Sequence, residues 1–151
     1  MNTLYKLMYN PLIWFLIVVF ILFYPMLISI YVFLPLFIGL MGYLFILGID
    51  KRKWHYVLLS MVYFINLEVN LSLPFFLMIL SSLLVYTLFY SKLEKVKRCK
   101  VCAKIVLVLL LDFVYLGCLL LYDFIFQTTS VVLDVILVYS LVIDILAVMV
   151  L

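Results

Sequence analysis

Residues 91–104, SKLEKVKRCKVCAK, are the one long stretch of this chain too charged to rest in a lipid core. The stretch carries six of the ten Lys/Arg residues and both cysteines of a C-x-x-C pair. Almost everything on either side is apolar. Of 151 residues, 72% are hydrophobic and 11% charged, where soluble domains hold about 45–50% and about 25%. A soluble core of this size has nowhere to hide so much apolar surface, so lipid is expected to be the solvent for much of it. The length suits one integral membrane domain over 1–151.

Placement of charge sets the expected topology. The remaining basic residues are Lys6 and the cluster Lys51, Arg52 and Lys53. The groups flank apolar runs, which points to the positive-inside rule rather than to nucleic acid. The run from 11 to 49 is 39 residues long and would reach about 58 Å as one helix, roughly twice the hydrocarbon thickness. With basic flanks on both sides it must cross an even number of times. Pro25 and Pro35 are expected to bracket the turn, since neither belongs easily in a helix interior. The run from 54 to 90 repeats the pattern. Its break is expected at 65–74, INLEVNLSLP, where polar and apolar residues alternate at period two as in an extended surface segment. Spans at 101–123 and 131–151 follow the basic loop. The fold class expected is therefore all-α and polytopic. About six helices are placed at 11–24, 35–49, 54–67, 74–90, 101–123 and 131–151. Both termini and the 91–104 loop are cytoplasmic.

Carboxylates in the last two spans need explaining. Asp112 falls near the middle of the fifth span and Asp144 inside the sixth, while Asp123 and Asp134 fall near the outer rim. An ionisable group at mid-bilayer costs about 2.5–3.5 kcal/mol on insertion scales, so it faces protein or a cavity. These four, with Glu68, are the candidate partner-facing or buried polar residues. Glu68 itself reads as a solvated loop acid or an external contact. Gly39 and Gly42 lie one turn apart, a spacing that permits close helix approach.

Cys99 and Cys102 are candidate reactive or modified thiols, since a basic loop favours thiolates and lies beside the membrane. A zinc site needs four ligands, and His55 is the sole histidine. No metal, cofactor or catalytic residue is expected. No Ser-His-Asp order, phosphate loop or H-E-x-x-H appears, so the chain does not read as an enzyme.

The layout resembles MreD, the small membrane subunit of the bacterial rod-shape machinery. The resemblance covers roughly 11–123. It rests on a short first hairpin, Pro35 opening the second span, Glu68 in NLEVNLSLP near an acidic position of the family, the returning helix LPFFLMILSSLLVY, then a basic loop and a final pair. The sequence departs from the family in three ways. Leu34 stands where a basic residue is frequent, the acid is Glu rather than Asp, and Ser72 and Pro74 stand where the family has glycines. The resemblance implies a multi-pass protein of the bacterial inner membrane, a non-enzymatic scaffold. Its partners would be membrane lipids, MreC, RodA and penicillin-binding protein 2. The alternative is a small transporter or a substrate-binding subunit of vitamin-uptake type, also a compact six-helix bundle.

Overall fold

The computed structural model describes residues 11–31, 34–90, 100–127 and 135–150. These residues form six α-helices, with no strand among them: α1 Pro11–Ile30, α2 Ile38–Asp50, α3 Trp54–Asn70, α4 Leu77–Val85, α5 Lys100–Phe126 and α6 Val135–Val150. A π-helical turn, Tyr86–Tyr90, widens the end of α4.

Helix α2 is the axis of the bundle. It packs against α3, α4, α5 and α6, while α1 lies on α3. Glycine makes the central crossing possible. A Cβ built on Gly39 would stand 2.6 Å from Val108 Cγ1, and one on Gly42 would stand 3.0 Å from Leu111 Cδ1. Two buried apolar clusters flank this crossing. One joins Tyr24, Phe45, Tyr63 and Leu67. The other joins Tyr43, Ile46, Val108 and Val148.

Two expected breaks lie elsewhere. Pro25 does not bracket the first turn, because α1 runs through it to Ile30. Proline removes the N–H that would bond the carbonyl of Ile21 and crowds that turn. In apolar surroundings such a helix persists when neighbours support it; here the Asn66 side-chain amide donates to Leu22 O, the carbonyl next to the one that Pro25 leaves without its donor. The 65–74 stretch is likewise not extended up to Pro74. Asn66, Glu68 and Asn70 lie on α3, which ends at Asn70. Their period-two spacing is local. Asn70 Nδ2 donates to Asn66 O and Oδ1, both at 2.7 Å, along one helix face.

The outside is apolar. On α1 the exposed residues Leu12, Leu16, Phe20, Phe23, Leu27 and Ile30 follow helical spacing, and Phe113 and Phe124 project from α5. Among the described residues one stretch, Cys102–Phe126, is long and apolar enough to cross a membrane. Shorter apolar helices lie at Val18–Ile30, Ile38–Asp50, Leu77–Phe89 and Val138–Met149.

Candidate functional site

Polar groups inside the bundle gather at two helix starts, and the two starts are built alike. Leu34-Pro35-Leu36-Phe37 leads into α2 and Leu73-Pro74-Phe75-Phe76 leads into α4. Proline keeps the residue before it extended, which holds the approach out of helix. The phenylalanine then adopts a left-handed conformation, φ 49° at Phe37 and φ 64° at Phe76, and caps its helix with no side-chain bond of its own. Its carbonyl accepts the first intrahelical bond, from Met41 N at 3.0 Å and from Leu80 N at 2.9 Å.

A capping residue normally satisfies the N–H of the second or third helical residue with its own oxygen. Phenylalanine has none, so a carboxylate from elsewhere does this in both places. Met78 N donates to Glu68 Oε1 and Phe76 N to Glu68 Oε2, each at 2.8 Å. Gly39 N donates to Asp144 Oδ2 at 2.9 Å across 105 residues of sequence. Met78 and Gly39 are the same position counted from their capping phenylalanines. A carboxylate at a helix N-terminus also meets the positive end of the helix dipole, which offsets part of the cost of burying it.

The entry to α2 draws on four helices, α1, α3, α5 and α6. Tyr24 OH on α1 donates to Pro35 O at 2.9 Å, and Tyr63 OH on α3 donates to Leu36 O at 2.7 Å. Leu36 N donates to Ser140 Oγ on α6 at 2.9 Å. Asp112 arrives from α5, with both carboxylate oxygens 2.9 Å from where a Gly39 Cβ would stand. Asp112 and Asp144 thus converge on one glycine. Asp112 Oδ2, Asp144 Oδ1 and Tyr115 OH are buried without a hydrogen-bond partner among the described residues. A cavity of about 70 Å³ is lined by Ile38, Asp112, Tyr115, Leu119 and Ser140.

The candidates from the sequence that fall among the described residues can now be placed. Glu68 is fully buried, which corrects its reading as a solvated acid or external contact: α3 continues past it and turns it inward. Asp112 and Asp144 meet, and Asp144 is fully buried. Asp123 is half-buried near the far end of α5, away from both helix starts in sequence. Cys102 is exposed in the first turn of α5 and His55 in the first turn of α3. Cys99, Asp134 and residues 91–99 lie outside the described residues. Tyr24, Tyr63, Tyr115 and Ser140 were not candidates on sequence grounds. The repeated Leu-Pro-x-Phe, 39 residues apart, is the signal that marks the segments they serve.

Among the described residues no group of three or more His, Cys, Asp or Glu is placed to hold a metal ion. Comparison with protein-family models, curated proteins and solved structures finds no match to this chain.

Proposed function

We propose that this chain is a multi-pass protein of the bacterial inner membrane and acts as a non-enzymatic scaffold subunit, of the kind MreD provides to the cell-wall elongation machinery. The observation that carries the reading is the arrangement of its side chains. Buried polar groups, Glu68, Asp144, Ser140, Tyr24 and Tyr63, are spent on fixing the starts of α2 and α4. The exposed faces of α1, α5 and α6 carry large apolar residues such as Phe20, Phe113, Phe124 and Leu146. Exposed apolar area on this scale suits lipid or partner helices and is a liability in water. A rigid interior with apolar outer faces is what a subunit needs when its work is to be packed against.

The layout likeness gains a physical reason at Glu68. An acid near the end of the third helix, a proline and a returning helix make one capping unit, since the acid closes α3 onto the first turn of α4.

Depletion of the protein in its native host, followed by imaging, tests the reading. Rods that swell and round, together with co-purification of MreC, support it. Unchanged cell shape and no elongation partner in the purified membrane fraction count against it.

A further inference from the structure

The turn between α2 and α3 sets three cations side by side. Lys51, Arg52 and Lys53 are all exposed, and Asp50 before them is the one acid beside the turn. Two backbone bonds close the turn onto α2: Arg52 N–H donates to Ile49 O at 3.3 Å and Lys53 N–H to Gly48 O at 2.9 Å. This pairing ends a helix on a residue in left-handed backbone, where glycine is the ordinary occupant. Here the occupant is Arg52, at φ 52°. The same pairing closes α3 around Ser72 at φ 53°, with Ser72 N–H on Val69 O at 3.4 Å and Leu73 N–H on Glu68 O at 2.9 Å. The motif itself therefore asks for no charge. A neutral residue serves at one end of α3, and an arginine keeps the strained position at the other.

What adjoins Arg52 has the outline of a phospholipid. A guanidinium forks onto two phosphate oxygens, and an ammonium meets phosphate as a point charge. Lys53 Nζ stands 5.6 Å from the centre of the Tyr56 ring, which keeps one ammonium beside the turn. Trp54 follows at once and is 74% exposed. In a bilayer an exposed indole settles at the level of the headgroups, so it sets the three cations at phosphate depth. Trp54, Leu58, Val62, Ile65 and Val69 are all exposed and follow one another at four, four, three and four residues, which is one apolar stripe along α3. One leaflet is half of the hydrocarbon thickness of about 30 Å, and it covers about the first ten residues of that stripe. We propose that the start of α3 binds an anionic phospholipid, its phosphate held by Lys51, Arg52 and Lys53 and its acyl chains laid along Trp54, Leu58 and Val62.

The inference rests on the membrane placement proposed above, and one experiment separates the two. The chain has two tryptophans, so Trp14→Phe leaves Trp54 as its one indole. The purified full chain carrying that change is placed in vesicles of phosphatidylglycerol and phosphatidylcholine, with bromine on the chains of one lipid or the other. Quenching of Trp54 fluorescence then reports which lipid lies beside it. Phosphatidylglycerol is expected to be preferred by about tenfold or more, since each basic residue near the surface contributes about fivefold, and high salt should bring the preference down toward one. Arg52→Gly suits the left-handed position and keeps the fold, and it should cut the preference by about fivefold. Equal quenching by the two brominated lipids overturns the proposal and leaves the membrane placement standing. Quenching by neither overturns both. A preference that stays unchanged in Arg52→Gly and in the Lys51→Gln, Lys53→Gln double variant puts the anionic lipid on other basic residues, and overturns the proposal equally.

Discussion

Gly39 shows what a single hydrogen in place of a methyl decides. Its missing Cβ leaves room for Val108, and its N–H is free to meet Asp144. Gly39→Ala would force a methyl to within 2.6 Å of Val108 Cγ1 and 2.9 Å of both Asp112 oxygens. Overpacking of that kind costs about 1–3 kcal/mol, so thermal unfolding in detergent should begin several degrees lower. Gly117 on α5 is the matched control, since nothing lies within 4 Å of its added Cβ. Alanine there should be neutral, or stabilise by about 0.5–1 kcal/mol through helix propensity. Equal losses at both positions in the same unfolding assay would remove the close approach as the cause. Glu68 is a second such residue. Glu68→Ala leaves the Phe76 and Met78 N–H groups without their acceptor, at about 1–3 kcal/mol for each group. Glu68→Gln keeps one oxygen and should recover part of the loss. Hydrogen exchange at the start of α4 reads both, with faster exchange in the alanine variant than in the glutamine one.

At the scale of the element, the two Leu-Pro-x-Phe entries share a backbone yet spend their phenylalanines differently. Phe37 packs into the first core cluster, with its ring 5.2 Å from that of Tyr24. Phe76 is 59% exposed. A left-handed conformation costs an ordinary side chain roughly 1–2 kcal/mol and glycine almost nothing. Phe76→Gly should therefore leave stability unchanged or raise it by up to about 1 kcal/mol. Phe37→Gly should lower it by about 1–3 kcal/mol, because the lost packing outweighs the relief. Thermal melts of the two variants should shift in opposite directions or by clearly different amounts. Equal shifts would mean that backbone conformation is not what the phenylalanines are set against. These entries also mark how far the sequence could be read. Apolar runs and basic punctuation located six helices, since hydropathy and charge are properties of composition. The capping geometry was not legible, because the cap of α2 is Asp144, more than a hundred residues away. Pro25 misled for a related reason: its effect on α1 depends on neighbours such as Asn66 that only the packed bundle supplies. At Glu68 the alternation of INLEVNLSLP matched a strand period over a few residues, too short a window to tell a strand from one polar helix face.

For the whole molecule the proposed multi-pass arrangement makes a prediction that helix α3 tests directly. It spans Trp54–Asn70, 17 residues, or about 25 Å, close to the hydrocarbon thickness of about 30 Å. Its two ends are marked by exposed turn residues, Arg52 before it and Ser72 after it. On the proposed multi-pass arrangement, Arg52, in the basic cluster Lys51–Lys53, would face the cytoplasm by the positive-inside rule, and Ser72 would face the opposite side. Both hold left-handed backbone, φ 52° and φ 53°, already tolerated by a side chain in each case, so cysteine adds no new strain. With native cysteines replaced, Ser72→Cys should react with a membrane-impermeant maleimide in intact cells whose outer membrane is permeabilised. Arg52→Cys should react only after the inner membrane is opened. Labelling of both from the same side would mean that α3 does not cross, and the multi-pass arrangement would fall with it. Labelling from opposite sides fixes α3 as a span and, because α2 is joined to it through residues 51–53, sets the direction of α2 as well. The start of α2, where Asp112 and Asp144 converge, would then lie about a helix length away from the Lys51–Lys53 turn, toward the non-cytoplasmic half of the bundle. Burial of acids at that depth is tolerable only in a protein-lined interior, which is where the packing of α2 against α5 and α6 puts them.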